Sequence, residues 1–291
     1  MANQQVGSTA LGAAVCRLLE QFQPEESRLF LDPVVSGLVG TPVRLLMQFA
    51  GMRRLTITQT DAIMPGIYGV QVCRTRCIDD AVLAALAGDI EQVVILGAGF
   101  DTRAYRLAGI ERTRVLEVDL PSVQNIKKRR LQQRFAHLPE HVTFVPIDFA
   151  TQSVETALQG TTFDPARPAV FIWEGVTQYI PEEAVSRVLT FIGKAAPGSL
   201  LIFTYVLRSI IERRSDLPGA DKLMNMMDKR RTSWLFGLDP ADLASFLATH
   251  HLHLLADTGN ADYQERYLKP LGRELVVSEC ERVVQASVLP D

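Results

Sequence analysis

The sequence predicts an α/β protein built on a doubly wound, mostly parallel sheet, and three observations carry that expectation. From residue 92 onward, short apolar runs alternate with helical segments; the runs are rich in β-branched residues; and the first passes straight into a glycine-rich turn. Runs of this kind suit strands covered on both faces. Repeated strand–helix alternation implies parallel strands joined by right-handed crossovers. A length of 291 residues holds one large α/β domain or a domain with a substantial appendage. With 47% hydrophobic and 22% charged residues, a large buried core is expected and disorder or a fibrous role is not.

Taken in order, residues 1–88 read as an N-terminal helical cap and residues 89–291 as the core, with 206–237 as a lid-like insertion. Leu11, Val15, Leu18, Leu19 and Phe22 repeat at helical spacing until Pro24 stops the pattern. A second helix is expected over 43–52. A third, over 70–86, carries Val70, Cys73, Cys77, Ile78, Val82, Leu83 and Leu86 along one face. Strands are expected at 92–96, 114–118, 143–146, 169–173 and 199–205, with closing strands at 253–256 and within 274–288. The 206–237 stretch breaks this rhythm, mixing charges with Met224, Met226 and Met227 before Trp234. Those methionines suit core filling or a movable cover. Asp239 and Pro240 suit the N-cap and first position of a helix over 240–250.

The net charge of −3 and the absence of a basic block argue against nucleic acid as a partner. No run approaches the ~18 apolar residues of a membrane span, and residues 1–10 lack a signal-peptide pattern. Cys16, Cys73, Cys77 and Cys280 show no answering metal-ligand pair and read as separate buried thiols, so no metal is expected and a reducing cytoplasm fits. Oligomeric state is left open, a homodimer included.

The most informative segment is Val93-Val-Ile-Leu-Gly97-Ala-Gly99-Phe-Asp101-Thr-Arg103. Glycines at 97 and 99 allow a ligand to approach the backbone, although tight strand–helix packing needs the same residues. Thr102 replaces the third glycine of a dinucleotide fingerprint. The next expected strand ends in Glu117 and Asp119, Asp148 follows the third, and Glu174 follows the fourth. Each acid alone is an ordinary cap or surface charge. Together they mark the carboxyl edge of the sheet, where open α/β sheets bind ligands.

The charge pattern selects among cofactors. A dinucleotide brings a pyrophosphate, which favours a helix N-terminus with few acids nearby. S-adenosyl-L-methionine has no phosphate and carries a sulfonium and an ammonium, so acids around the turn suit it. Its carboxylate needs a cation, which Arg74 or Arg76 on the preceding helix can provide in bidentate form.

The string Leu96-Gly-Ala-Gly-Phe-Asp-Thr-Arg-Ala-Tyr-Arg-Leu107 resembles the signature of leucine carboxyl methyltransferases and their bacterial relatives, including tetracenomycin-type polyketide O-methyltransferases. Further matching strings are Thr9-Ala10, Arg28-Leu-Phe-Leu-Asp-Pro33, Arg74-Thr-Arg-Cys-Ile-Asp-Asp80, Glu117-Val-Asp-Leu-Pro121, Trp173-Glu-Gly-Val-Thr-Gln-Tyr179 and Trp234-Leu-Phe-Gly-Leu-Asp-Pro240, so the likeness spans nearly the whole chain. The resemblance implies the seven-stranded, Rossmann-like sheet of class I methyltransferases. It also implies Arg74 on the cofactor carboxylate, Gly97 at the turn and Asp119 on the ribose. Asp148 and the Phe149 backbone would meet the adenine, and Glu174 the methionine moiety. The N-terminal segment looks like the bacterial branch rather than the eukaryotic phosphatase-methylating one.

The expected activity is methylation of an oxygen on a small molecule, a carboxylate or a phenolic hydroxyl of polyketide type. A carboxylate acceptor is ionised near neutral pH and needs no base, whereas a phenol with pKa near ~10 gains from one. No catalytic base is identified: none of His137, His141, His250, His251 and His253 lies at an expected strand end facing the cofactor. Tyr68, Tyr179, Met224 and Trp234, with Met64, are the candidate acceptor-lining residues, although such side chains also fill ordinary cores. A protein-terminal carboxyl methyltransferase and a non-catalytic cofactor-binding protein are the alternatives.

Overall fold

The computed structural model describes residues 2–289 apart from 89, 150 and 231, and the side chains of residues 2–9 lie outside the description. The Thr9 side chain of the family resemblance and residue 89 of the expected 88/89 boundary therefore lie outside the described residues.

The strands are β1 Gln92–Leu96, β2 Arg114–Asp119, β3 Val142–Pro146, β4 Val170–Trp173, β5 Leu200–Val206, β6 Leu252–Thr258 and β7 Glu281–Val288. They form one sheet in the order β3-β2-β1-β4-β5-β7-β6. β1 pairs in parallel with both β2 and β4, which carry on in parallel to β3 and β5. β7 runs antiparallel between β5 and β6. The direction of winding reverses between β1 and β4, and the carboxyl ends there are where such sheets open a crevice.

Burial on both faces explains the near-continuous apolar strands. Val93 and Ile95 of β1 enter one apolar layer, and Val94 and Leu96 enter the other. Val170 and Ile172 of β4 likewise separate from Phe171 and Trp173. The first layer is completed by the helices Ala2–Glu20 and Ile67–Leu86, through residues such as Leu18, Val72, Cys73 and Ile78. Each large side chain so buried contributes about 1.5–3 kcal/mol. The predicted stripe on the second of these helices holds from Val70 to Leu86 except at Leu83, which is 38% exposed.

Three expected elements differ. The helix at 43–52 is two helices, Thr41–Leu46 and Ala50–Asp61. Phe49 is extended between them, and the Arg53 guanidinium takes up the freed carbonyls of Met47 and Gln48, each at 2.8 Å. The helix at 240–250 spans only Leu243–Ala248, and Asp239 does not cap it, because its carboxylate faces Arg208 at 3.7 Å. The closing strand begins at Glu281 rather than 274. Residues 276–278 instead cross the start of the helix Ile67–Leu86, where Ser278 N donates to Gly66 O at 3.0 Å. A Cβ on Gly69 would stand 2.0 Å from Val276 O, so this close crossing requires glycine.

Within 206–237, the helices Arg208–Ile211 and Ala220–Lys229 are formed. Met224 and Met227 of the second are buried in the first apolar layer. No helix among the described residues is long and apolar enough to cross a membrane.

Candidate functional site

β1 ends into the glycine turn at the reversal point. Gly97 has φ +67°, and its N–H donates to Val118 O at 2.7 Å. A Cβ there would lie 2.3 Å from Val176 Cγ2. The missing side chain thus lets the loop after β4 close against the turn, the packing role of the two that the sequence allowed. Gly99 N donates to the Asp119 carboxylate, whose other oxygen accepts from Leu120 N at 2.6 Å. Burial pushes the Asp119 carboxyl above its ordinary range, with the two backbone N–H groups opposing. Glu117, two strand positions deeper, sits inside β2 and pairs with Lys127 Nζ at 2.8 Å rather than facing the rim.

Beside this turn lies a buried chain of ion pairs. Arg74 Nε donates to Glu174 Oε1 at 2.8 Å, and Arg74 Nη1 donates to Glu281. The second oxygen of Glu174 accepts from Arg103 Nη1 at 2.6 Å. Arg103 also holds Asp101, and its Nε donates to Asp79 at 2.8 Å. Asp79 takes Arg106 at 2.7 Å, and Asp32 takes Arg17 Nε at 3.2 Å and the Thr102 hydroxyl at 2.7 Å. No side chain of these ion pairs exceeds 11% exposure.

The charges do not cancel. Four guanidiniums (Arg17, Arg74, Arg103, Arg106) face five carboxylates (Asp32, Asp79, Asp101, Glu174, Glu281), leaving one negative charge in excess. Burial works against the charged form of Glu174, but Arg103 and then Arg74 hold its carboxyl well below the usual range. Asp101 is depressed in the same way, chiefly by Arg103. Arg74 keeps one donor in reserve: its Nη2 donates to nothing among the described residues and would lie 3.4 Å from a Cβ at Gly175.

The structure therefore brings Arg74, Gly97, Gly99, Asp119 and Glu174 to one edge of the sheet. Asp148 and Phe149 follow β3 on the same edge, with Phe149 tilted against Trp173 at 6.5 Å between ring centroids. The four acceptor candidates divide. Tyr68 and Met224 are buried in the first apolar layer with Met64, and the Tyr68 hydroxyl donates to Glu20 at 2.9 Å. Tyr179 and Trp234 are half-buried and meet edge to face at 6.5 Å. His141 and His250 are engaged elsewhere, with Ala104 O and the Thr190 hydroxyl.

Sequence reasoning assigned no role to Arg17, Asp79, Asp101, Arg103, Arg106 or Glu281. Arg103 stands inside the glycine-turn string and Asp79 inside the Arg74 string, so both were in view without a stated partner. Glu281 carried one usable signal: an acid opening a strand that continues Val283-Val284.

The family model described as leucine carboxyl methyltransferase matches residues 10–193. A Streptomyces coelicolor protein, provisionally named an S-adenosyl-L-methionine-dependent methyltransferase, is 34% identical over 246 residues, which are 80% of this chain and 82% of that protein. A Mycolicibacterium smegmatis protein with the same provisional name is 34% identical over 278 residues, 94% of this chain and 84% of its own. Among solved structures, a Thermobifida fusca protein described as a methyltransferase shares the fold with TM-score 0.60 at 18% identity, covering 88% of this chain and 93% of its own.

Proposed function

The chain belongs to the leucine carboxyl methyltransferase family, and from that membership we propose how its buried network serves methyl transfer and to what acceptor. It is an S-adenosyl-L-methionine-dependent methyltransferase. The reading proposed is O-methylation of a small molecule, a carboxylate or a phenolic hydroxyl of polyketide type. The observation that carries the cofactor assignment is the five-to-four excess of carboxylates in the network beside the glycine turn. A cofactor with a sulfonium, an ammonium and one carboxylate has a net charge that complements it.

When bound, S-adenosyl-L-methionine supplies a methyl group made electrophilic by its sulfonium. In this reading Arg74 Nη2 takes the methionine carboxylate, and Glu174, ionised by Arg103 and Arg74, faces the ammonium. Asp119 orients the ribose, and Asp148 with the Phe149 backbone receives the adenine. The two arginines fix Glu174 in one geometry, and burial keeps water from the reacting centre. Residues 206–237 serve as the cover over the acceptor. Leu235 N donating to Gln178 O at 2.7 Å, and Trp234 against Tyr179, support that role. Residues 1–88 act as the cap and residues 89–291 as the core. Four free, buried cysteines accord with a cytoplasmic setting.

The test is a screen of the purified protein with cofactor against carboxylate and phenol libraries, reading mass gains of one methyl group. Turnover of a small acceptor is expected. Label transferred from methyl-tritiated cofactor only to a protein band in cell extract would replace this reading with the protein-terminal one. No transfer to either, with cofactor bound, would replace it with the non-catalytic one.

A further inference from the structure

Away from the sheet edge, a cavity of about 540 Å³ lies between the short helices Val35–Leu38 and Thr41–Leu46 and the helix Pro121–Gln132. Four arginines line it: Arg44, Arg129, Arg130 and Arg134. Its other polar side chains are Ser36, Thr41 and Gln133, and no carboxylate lines it. This is unusual in a chain whose net charge is negative, and it contrasts with the five acids facing four arginines in the network beside the turn.

None of the four guanidiniums makes an ion pair among the described residues. Arg129 Nε donates to Asn125 O at 3.3 Å, and Arg130 Nη1 to Leu38 O. Arg130 also lies over the Phe100 ring at 5.0 Å, while Arg134 lies near the Phe135 ring at 5.9 Å. Among the described residues, the guanidiniums of Arg44 and Arg134 hydrogen-bond to no other side chain. The Arg130 guanidinium is pushed below its ordinary range by burial and then by neighbouring Arg129, so the pair holds repulsion that an anion would relieve. Planar guanidinium forks match phosphoryl oxygens in bidentate fashion. The volume, about 540 Å³, falls in the range of small-ligand sites.

We propose that this four-arginine cavity is a binding site for a multiply charged phosphoryl anion of diphosphate size, separate from the methyl-transfer site. Four uncompensated positive charges call for more than a monovalent ligand, and Ser36, Thr41 and Gln133 can bond the oxygens the guanidiniums leave over. The cavity connects to the other site through one side chain. Phe100, beneath Arg130, belongs to the glycine turn, and its carbonyl oxygen accepts from Arg17 of the ion-pair network.

The experiment is calorimetric titration of the full chain with inorganic pyrophosphate at constant ionic strength, with sulfate as the control anion. The variants are Arg129→Gln/Arg134→Gln and the charge-conserving Arg129→Lys/Arg134→Lys. Both residues are exposed, so the fold tolerates either change. Saturable one-to-one binding of pyrophosphate is expected, weakened at least tenfold in the glutamine pair and less in the lysine pair, with cofactor affinity unchanged. Absent or non-saturable binding overturns the proposal, as does equal binding of sulfate or an unchanged affinity in the glutamine pair. Because cofactor affinity is read separately, failure here is distinguishable from failure of the methyltransferase assignment.

Discussion

Arg74 and Glu174, a hundred positions apart in the chain, meet Nε to Oε1 at 2.8 Å and tie the helix Ile67–Leu86 to the residue that follows β4. Glu281 on the other side of Arg74 and Arg103 on the other side of Glu174 extend that contact across the sheet edge. Replacing Arg74 with alanine removes both the reserved Nη2 donor and the partner of two buried carboxylates. Cofactor affinity is expected to weaken by about 1–3 kcal/mol, the scale for losing one partner of a buried hydrogen bond. Calorimetry with S-adenosylhomocysteine measures it, and an unchanged affinity would remove Arg74 from the site.

Asp119 is read independently, because both its oxygens already hold backbone N–H groups of the turn and of Leu120. Asp119→Ala is expected to weaken the same ligand by about 1–3 kcal/mol. Methionine, which lacks the nucleoside, should bind the variant as it binds the parent. Equal losses for both ligands would point to a collapsed turn instead of a missing ribose contact.

At Gly97, two penalties coincide: a positive φ and a Cβ 2.3 Å from Val176 Cγ2. Gly97→Ala is expected to destabilise the fold by about 1–3 kcal/mol through overpacking, together with the left-handed backbone cost of about 1 kcal/mol. Trimming Val176 to alanine in the same chain should recover the steric part and leave the backbone part. Urea unfolding of the four proteins in this cycle measures the coupling, and strict additivity would show that the two residues do not meet.

Acid stability follows from Glu174 and Asp101. Both carboxyls sit below their ordinary range despite burial, held there chiefly by Arg103. A depressed carboxylate stabilises the native state above its unfolded pKa, near ~4.3 for glutamate, and that stability is lost as pH falls through the folded value. Asp119, raised by burial, acts with the opposite sign and cannot produce this loss. The unfolding free energy should therefore decline from about pH 4 downward, less steeply in Glu174→Gln. That variant should also start lower, by about 3 kcal/mol, because two guanidiniums lose a partner. Parallel pH profiles would exclude Glu174 as the titrating group.

The cover role of 206–237 predicts slower amide exchange there when S-adenosylhomocysteine and a methylated product are both present. Leu235, whose N–H reaches across to Gln178, is the position to follow. Exchange that is equal with and without product would assign the segment to static packing.

The first five strands were legible to within a residue. β1, β2, β4 and β5 are buried almost throughout and read as short, largely apolar, β-branched runs. β3, only partly buried, is placed by its position in the strand–helix alternation. The boundaries that failed depend on tertiary geometry and side-chain contacts that apolar periodicity does not report. Phe49 interrupts a helix because Arg53 collects the exposed carbonyls, and 276–278 leave the strand because they cross at Gly66 and Gly69. In the site, Asp119 and Glu174 could be placed because they end strands, and position along a strand is a local property. Arg103 and Glu281 could not be paired with them. Glu174 lies 71 positions from Arg103, and Glu281 lies 207 from Arg74, and only the folded chain relates such residues.

The insertion of β7 between β5 and β6 has a consequence for biogenesis. β6 leaves the ribosome before β7 yet has no neighbour in the sheet until β7 arrives. The same late strand delivers Glu281, one of the two carboxylates that grip Arg74. A nascent chain halted short of residue 281 would carry an unpaired strand and a half-neutralised arginine, so Arg74 gains its second carboxylate only once β7 has been made.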